Sequence, residues 1–179
     1  MIQRIQTLYM LLAVAAMAVC FMFPVATFDT PTDLPQTMDG ELWLVPSRGA
    51  VHSNVGGIEM TLSQSTVFAV WPLTALVAVA ACCTLVSIFM YKNRIRQMRF
   101  VMLPFLLMVV YLFLIFIWAV DNFVETATMP LSDMGQGLEV HTVYGIGAWA
   151  SVAALLLLFL ANRAIKKDEA KVRAADRLR

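Results

Sequence analysis

Charged side chains are missing from four long stretches of this sequence: 9–28, 67–91, 100–120 and 142–162 hold no Asp, Glu, Lys, Arg or His. Ionisable groups buried among membrane helices are costly and usually mark proton relays or ion pathways. Their absence argues against an ion-coupled transporter or pump, while leaving a passive pore open. Histidine is scarce as well, with only His52 and His141 in the chain. Neither sits in a recognisable set of metal ligands, paired carboxylates, or nucleophile with base. Glu139-Val-His141 beside Tyr144 is the nearest approach to a site, and one histidine with scattered acids does not specify a reaction. The three cysteines, Cys20, Cys82 and Cys83, all fall inside apolar runs, which argues against a disulfide framework in exported loops. Adjacent Cys82 and Cys83 point to different sides of a helix, so they cannot form a two-residue-spaced redox motif, and all three read as small packing residues. No glycine-rich phosphate loop or nucleotide fingerprint is present. These absences predict a non-enzymatic protein with no cofactor, no metal and no nucleic-acid partner.

What the chain does have is apolar surface: 60% of its 179 residues are hydrophobic and the mean hydropathy is +0.76. A bilayer core takes about 20 apolar residues in helical form, and the four uncharged stretches meet that length. The fold class predicted is an all-α membrane protein, a single-domain bundle of four transmembrane helices whose first partner is the lipid bilayer. The first stretch is too long for a typical signal core, and no small-x-small cleavage site follows it, so it reads as an uncleaved anchor. Orientation follows from the basic residues, which are retained on the cytoplasmic side. Of thirteen Lys and Arg, Arg4, the four within 92–99 and the seven within 163–179 share one side, and only Arg48 lies opposite. Both termini are therefore expected in the cytoplasm, with the protein in an inner membrane.

The outer loop 29–66 alternates apolar and polar residues at Glu41-Leu-Trp-Leu-Val45 and Ile58-Glu-Met-Thr-Leu62, which predicts two short antiparallel strands, a small extracytoplasmic β-ribbon. Between them, 46–57 reads as a flexible connection rather than a tight hairpin. The outer loop 121–141 is expected to be irregular or briefly helical near its ends, its acids forming solvated surface. The inner loop 92–99 joins spans two and three as a hairpin. Pro72 and Pro104 read as first-turn prolines, and Pro24 as the outer exit of span one. Small residues at helical spacing, Thr74, Ala78 and Cys82 in span two and Gly147, Ser151 and Ala154 or Leu155 in span four, predict close helix packing. Trp71, Trp118 and Tyr144 suit interfacial anchoring. Beyond span four, 163–179 holds helix formers without Gly or Pro and predicts a cytoplasmic helical extension. Pairs Glu169 with Arg173 and Asp168 with Lys171 would support it, and Ile165, Val172, Ala175 and Leu178 form a weak apolar stripe.

The opening Met1-Ile-Gln-Arg-Ile-Gln-Thr-Leu-Tyr9, the inner Tyr91-Lys-Asn-Arg94, the Tyr144-Gly-Ile-Gly-Ala148 entry to span four, and the ending Ala161-Asn-Arg-Ala-Ile-Lys-Lys-Asp-Glu-Ala through Ala175-Asp-Arg-Leu-Arg179 resemble a known family. It is the bacterial four-span membrane family described as domain of unknown function 4293, found chiefly in Bacteroidetes, and the resemblance covers essentially the whole chain. It implies an inner-membrane protein of a Gram-negative bacterium and carries over no activity or cofactor. The distinctive termini make Gln3, Arg4, Gln6, Lys166, Lys167, Asp168, Glu169, Asp176 and Arg177 the candidate partner contacts. The function expected is that of an accessory or scaffold protein binding a membrane-protein or cytoplasmic partner. The alternative is a small transporter or channel for an apolar or lipid-like solute.

Overall fold

A computed structural model of the chain describes residues 3–30, 36–55, 58–64, 70–90, 94–132 and 140–176. Its elements run α1 (Gln3–Met22), β1 (Ala26–Asp29), β2 (Gln36–Leu42), β3 (Ala50–Val55), β4 (Ile58–Ser63), α2 (Trp71–Phe89), α3 (Arg94–Phe113), a π-helical segment (Leu114–Ala119), α4 (Val120–Ser132), β5 (His141–Tyr144) and α5 (Ile146–Asp176). The chain is mostly helical, with one small antiparallel sheet. Among the described residues, four helical segments are long and apolar enough to cross a membrane: Ile5–Met22, Trp71–Phe89, Arg99–Thr126 and Ile146–Ala170.

The helix ends differ from those read in the sequence, and the reasons are local. α1 stops at Met22 rather than at residue 28 because the residue before Pro24 is disfavoured in helical conformation. The apolar run continues, but as a strand, in which Ala26 and Phe28 are buried and Thr27 and Asp29 face away. Apolar composition alone does not separate these two outcomes over so few residues. The helix of span three begins at Arg94, so Pro104 lies in its interior and not in its first turn, and its ring nitrogen can give no hydrogen bond to the preceding turn. Past α3 the helix widens into a π segment, closed by the Val120 N–H donating to Ile115 O. It then runs on as α4 through much of the stretch expected as loop.

The chain forms two compact units. One draws on residues 1–18, 76–111 and 150–179, the other on 19–75 and 112–149. In the first, the helical unit, buried Met10, Val101, Ala161 and Ile165 form a core against which Tyr9 and Ile88 pack. Polar groups among these helices are bonded both within a helix and between helices. The Thr84 hydroxyl donates to Ala80 O one turn back (2.7 Å), and the Gln97 amide donates to Ser87 O (3.1 Å), satisfying a carbonyl in the last turn of α2. On α5, Ser151 and Ala154 are buried as their spacing suggests. The expected stripe in span two is not the packing face. Cys82 is exposed and Thr74 and Ala78 are only half-buried, whereas Leu73, Val77, Ala80, Thr84 and Ser87 are buried. The buried face sets the larger Leu73 and Val77 beside small Ala80, Thr84 and Ser87, one position round the helix from the stripe read in the sequence.

In the second, the sheet unit, the described residues form five strands in the order β4-β3-β2-β1-β5, each neighbouring pair antiparallel. The ribbon expected from two strands is thus larger. It recruits the chain leaving α1 as β1 and the chain entering α5 as β5. The segment expected to be a flexible connection forms β3 instead, paired with β4 down to Val55↔Ile58; Gly56 and Gly57 lie outside the described residues. One face of the sheet is buried, with Phe28 packed on Phe123 of α4 at a centroid distance of 5.0 Å. At one margin the N–H groups of Gly145 and Gly147 donate to Val25 O (2.8 Å) and Pro24 O (3.0 Å), so the main chain beyond α1 satisfies donors at the start of α5.

Candidate functional site

Two polar regions stand out, one in each unit. In the helical unit, Gln6 of α1 and Asp168 of α5 are both largely buried. The Gln6 amide donates to the Asp168 carboxylate and, more weakly, to Ala164 O (3.4 Å). The two terminal motifs therefore meet each other. Asp168 accepts from Gln6; its expected partner Lys171 has its side chain outside the described residues. Ile165 sits in the core, while Lys166 and Lys167 are exposed and Glu169 is half-buried. Gln3 and Arg4 lie in the first turn of α1 and Asp176 ends α5. The side chains of these three lie outside the described residues, as do Arg177 and the apolar-stripe side chains of Val172, Ala175 and Leu178. Of the terminal residues singled out from the sequence, the structure brings Gln6 and Asp168 together and leaves Lys166 and Lys167 open on the other side of the same helix.

The second region is the uncovered face of the sheet. Side chains in register on neighbouring strands lie on the same face, and the pairings Asp29↔Asp39, Asp29↔His141 and Asp39↔His52 put both histidines and two aspartates in one row across four strands. All four side chains are exposed, and an open concavity is lined by Asp29, Asp39, Glu41, Arg48 and His52. His52 Nδ1 is 3.0 Å from the Thr61 hydroxyl on the next strand. The two histidines look isolated in the sequence because nothing in their spacing shows that strand pairing aligns them. Among the described residues, no three His, Cys, Asp or Glu side chains surround a common point as they stand.

Arg48, the exception in the charge pattern, is engaged within the sheet unit. Its guanidinium lies over the Trp43 ring, 5.6 Å from the centroid, and Nη1 reaches Phe21 O (3.5 Å), where a cation complements the C-terminal end of α1. Trp43 in turn donates its indole N–H to Glu41 Oε2 (2.7 Å).

A family model matches residues 2–178. The chain belongs to the family described as domain of unknown function (DUF4293). Its match takes in both terminal motifs, and the Gln6–Asp168 contact gives those motifs a structural reason to occur together: they hold the first and last helices to one another. The sheet face lies within the same match. No curated protein matches the chain.

Proposed function

We propose that this member of the family is a four-span inner-membrane protein, with both termini cytoplasmic and the sheet on the opposite side, and that it serves as a non-enzymatic accessory or scaffold protein. Membrane insertion is supported by the apolar side chains that the fold leaves uncovered. Within the most apolar 18 residues of each segment, only 28% are buried in the first three and 39% in the fourth. Leu11, Phe89, Leu106, Phe113, Leu156 and Phe159 are among the exposed. Soluble proteins do not leave apolar surface of this extent in water. The proposed orientation rests on the one-sided distribution of Lys and Arg.

The observation that carries the scaffold reading is α5. Its 31 residues correspond to about 46 Å of helix against a hydrocarbon core of about 30 Å, so its last turns extend into the cytoplasm. There one side is held by Ile165 in the core and by Asp168 against Gln6, and the other presents Arg163, Lys166 and Lys167. A basic strip on a fixed helix is suited to an acidic patch on a partner, where charge complementarity guides encounter and register. Full-length tagged protein expressed at its native level and purified in mild detergent is expected to retain a stoichiometric partner. That partner should be lost from Lys166→Glu/Lys167→Glu while the thermal melt stays unchanged. Recovery of the bare protein from several detergents and after gentle cross-linking would overturn the reading in favour of a small transporter or channel.

A further inference from the structure

We propose that the cytoplasmic end of the seam between α3 and α5 holds an anionic phospholipid, its phosphate on Arg99 and Lys166, a reading that rests on the four-span topology and its orientation. Contacts within the helical unit fix the seam. The Phe105 and Phe159 ring centroids lie 6.5 Å apart, and about one turn further along both helices the Asn162 amide meets Met102 Sδ (2.8 Å). The two helices run antiparallel there. The next turn therefore brings Arg99, three residues before Met102, level with Lys166, four residues after Asn162. Arg96 and Arg163 stand one turn from them on the same helices, and all four side chains are exposed. About 30 Å of α5 separates Ile146 from Lys166, the thickness of the hydrocarbon core, which sets Lys166 at headgroup level.

Charge and surface choose the occupant. Residues 1–18, 76–111 and 150–179 hold twelve Lys and Arg against three acids, Asp168, Glu169 and Asp176. All three acids lie on α5, where Asp168 is taken by Gln6. α3 has no acidic residue, so the positive end of its dipole adds to Arg96 and Arg99 and is not offset. Topology alone requires cations on the cytoplasmic side, not on the two banks of one seam. Next to these cations the surface turns apolar and open, with Met102, Leu106 and Phe159 exposed. An anion carried on hydrocarbon chains matches both parts, and basic sites between membrane helices at the cytoplasmic face are where anionic headgroups are held.

The test is native mass spectrometry and thermal melting of the full-length protein in an uncharged detergent, titrated with phosphatidylglycerol, phosphatidylcholine or glycerol 3-phosphate. Phosphatidylglycerol is expected to be retained and to raise the melting temperature, while the other two at equal concentration leave it unchanged. Retention should weaken about fivefold in Arg99→Gln and about twentyfold in Arg99→Gln/Lys166→Gln. Lys167→Gln, which removes the same charge about 100° further round α5, should bind as the wild type. Equal retention of both lipids, wild-type retention by the double variant, equal weakening by Lys167→Gln, or a shift given equally by glycerol 3-phosphate overturns the proposal. So does loss of a bound protein, and not of lipid, from the double variant. Arg99 lies outside the strip assigned to a protein partner, and retention in detergent is independent of orientation, so failure here is distinguishable from failure of the scaffold or of the topology.

Discussion

Gln64 gives Trp43 the hydrogen bonds that a neighbouring strand would give. Its side chain is fully buried, with Oε1 accepting from Trp43 N–H (2.9 Å) and Nε2 donating to Trp43 O (2.7 Å), while its own N–H donates to Gly49 O (3.0 Å). The amide closes the edge left where β2 ends at Leu42. In Gln64→Ala both groups of Trp43 lose a partner in a part-buried setting, at a cost of about 1–3 kcal/mol for each group left unsatisfied. Gln64→Glu places a second acceptor against Trp43 O and should melt lower still. Thermal melts in detergent check the order, wild type above alanine above glutamate; identical melts would show the side chain to be dispensable. No sequence signal marked this residue, because its partner is main chain more than twenty positions away and main-chain groups look alike in every sequence.

Main chain meets main chain closely where α5 begins. A Cβ on Gly147 would lie 2.8 Å from both Phe23 O and Pro24 O, and one on Gly145 would lie 2.5 Å from Pro24 O. The neighbours are backbone and cannot turn aside. Gly147→Ala is therefore expected to cost about 1–3 kcal/mol, the range for forcing extra volume into a packed site. Gly40→Ala serves as the control, since its Cβ would meet Val51 Cγ2 at an ordinary 3.4 Å, and it should melt close to the wild type. Equal losses at the two positions would contradict the account. In the sequence the Tyr144-Gly-Ile-Gly-Ala148 motif marks the entry to a span. The close approach that explains its glycines belongs to the pairing of β1 with β5. The π segment acts at the same scale. One extra residue in the turn changes which side chains face the sheet unit's interior, and Phe116 packs at a tilt against Tyr144, with ring centroids 4.7 Å apart.

At the scale of the whole molecule, the proposed topology assigns opposite sides of the membrane to the sheet face and to the exposed strip of α5. It predicts labelling in opposite compartments. In a background with Cys20, Cys82 and Cys83 replaced by serine, Thr61→Cys in spheroplasts should react with a membrane-impermeant maleimide, and Lys167→Cys should react only after the membrane is opened. The reverse pattern would invert the orientation, and reaction of both in sealed spheroplasts would remove the cytoplasmic assignment of the tail. Both positions are exposed, so burial does not confuse the readout.

The sequence by itself determined where four apolar helices lie, that a helix continues past the last apolar residue, and which family the chain belongs to. Each of these depends on composition and period within a continuous stretch, which local physics reads directly. Tertiary structure alone decided that the end of the first apolar run and the start of the fourth are strands. It decided too that Gln6 and Asp168 face one another, and that two histidines and two aspartates scattered from residue 29 to residue 141 form one row. These outcomes depend on register between segments far apart in the chain, and a shift of one residue in that register would turn every side chain of the row to the other face.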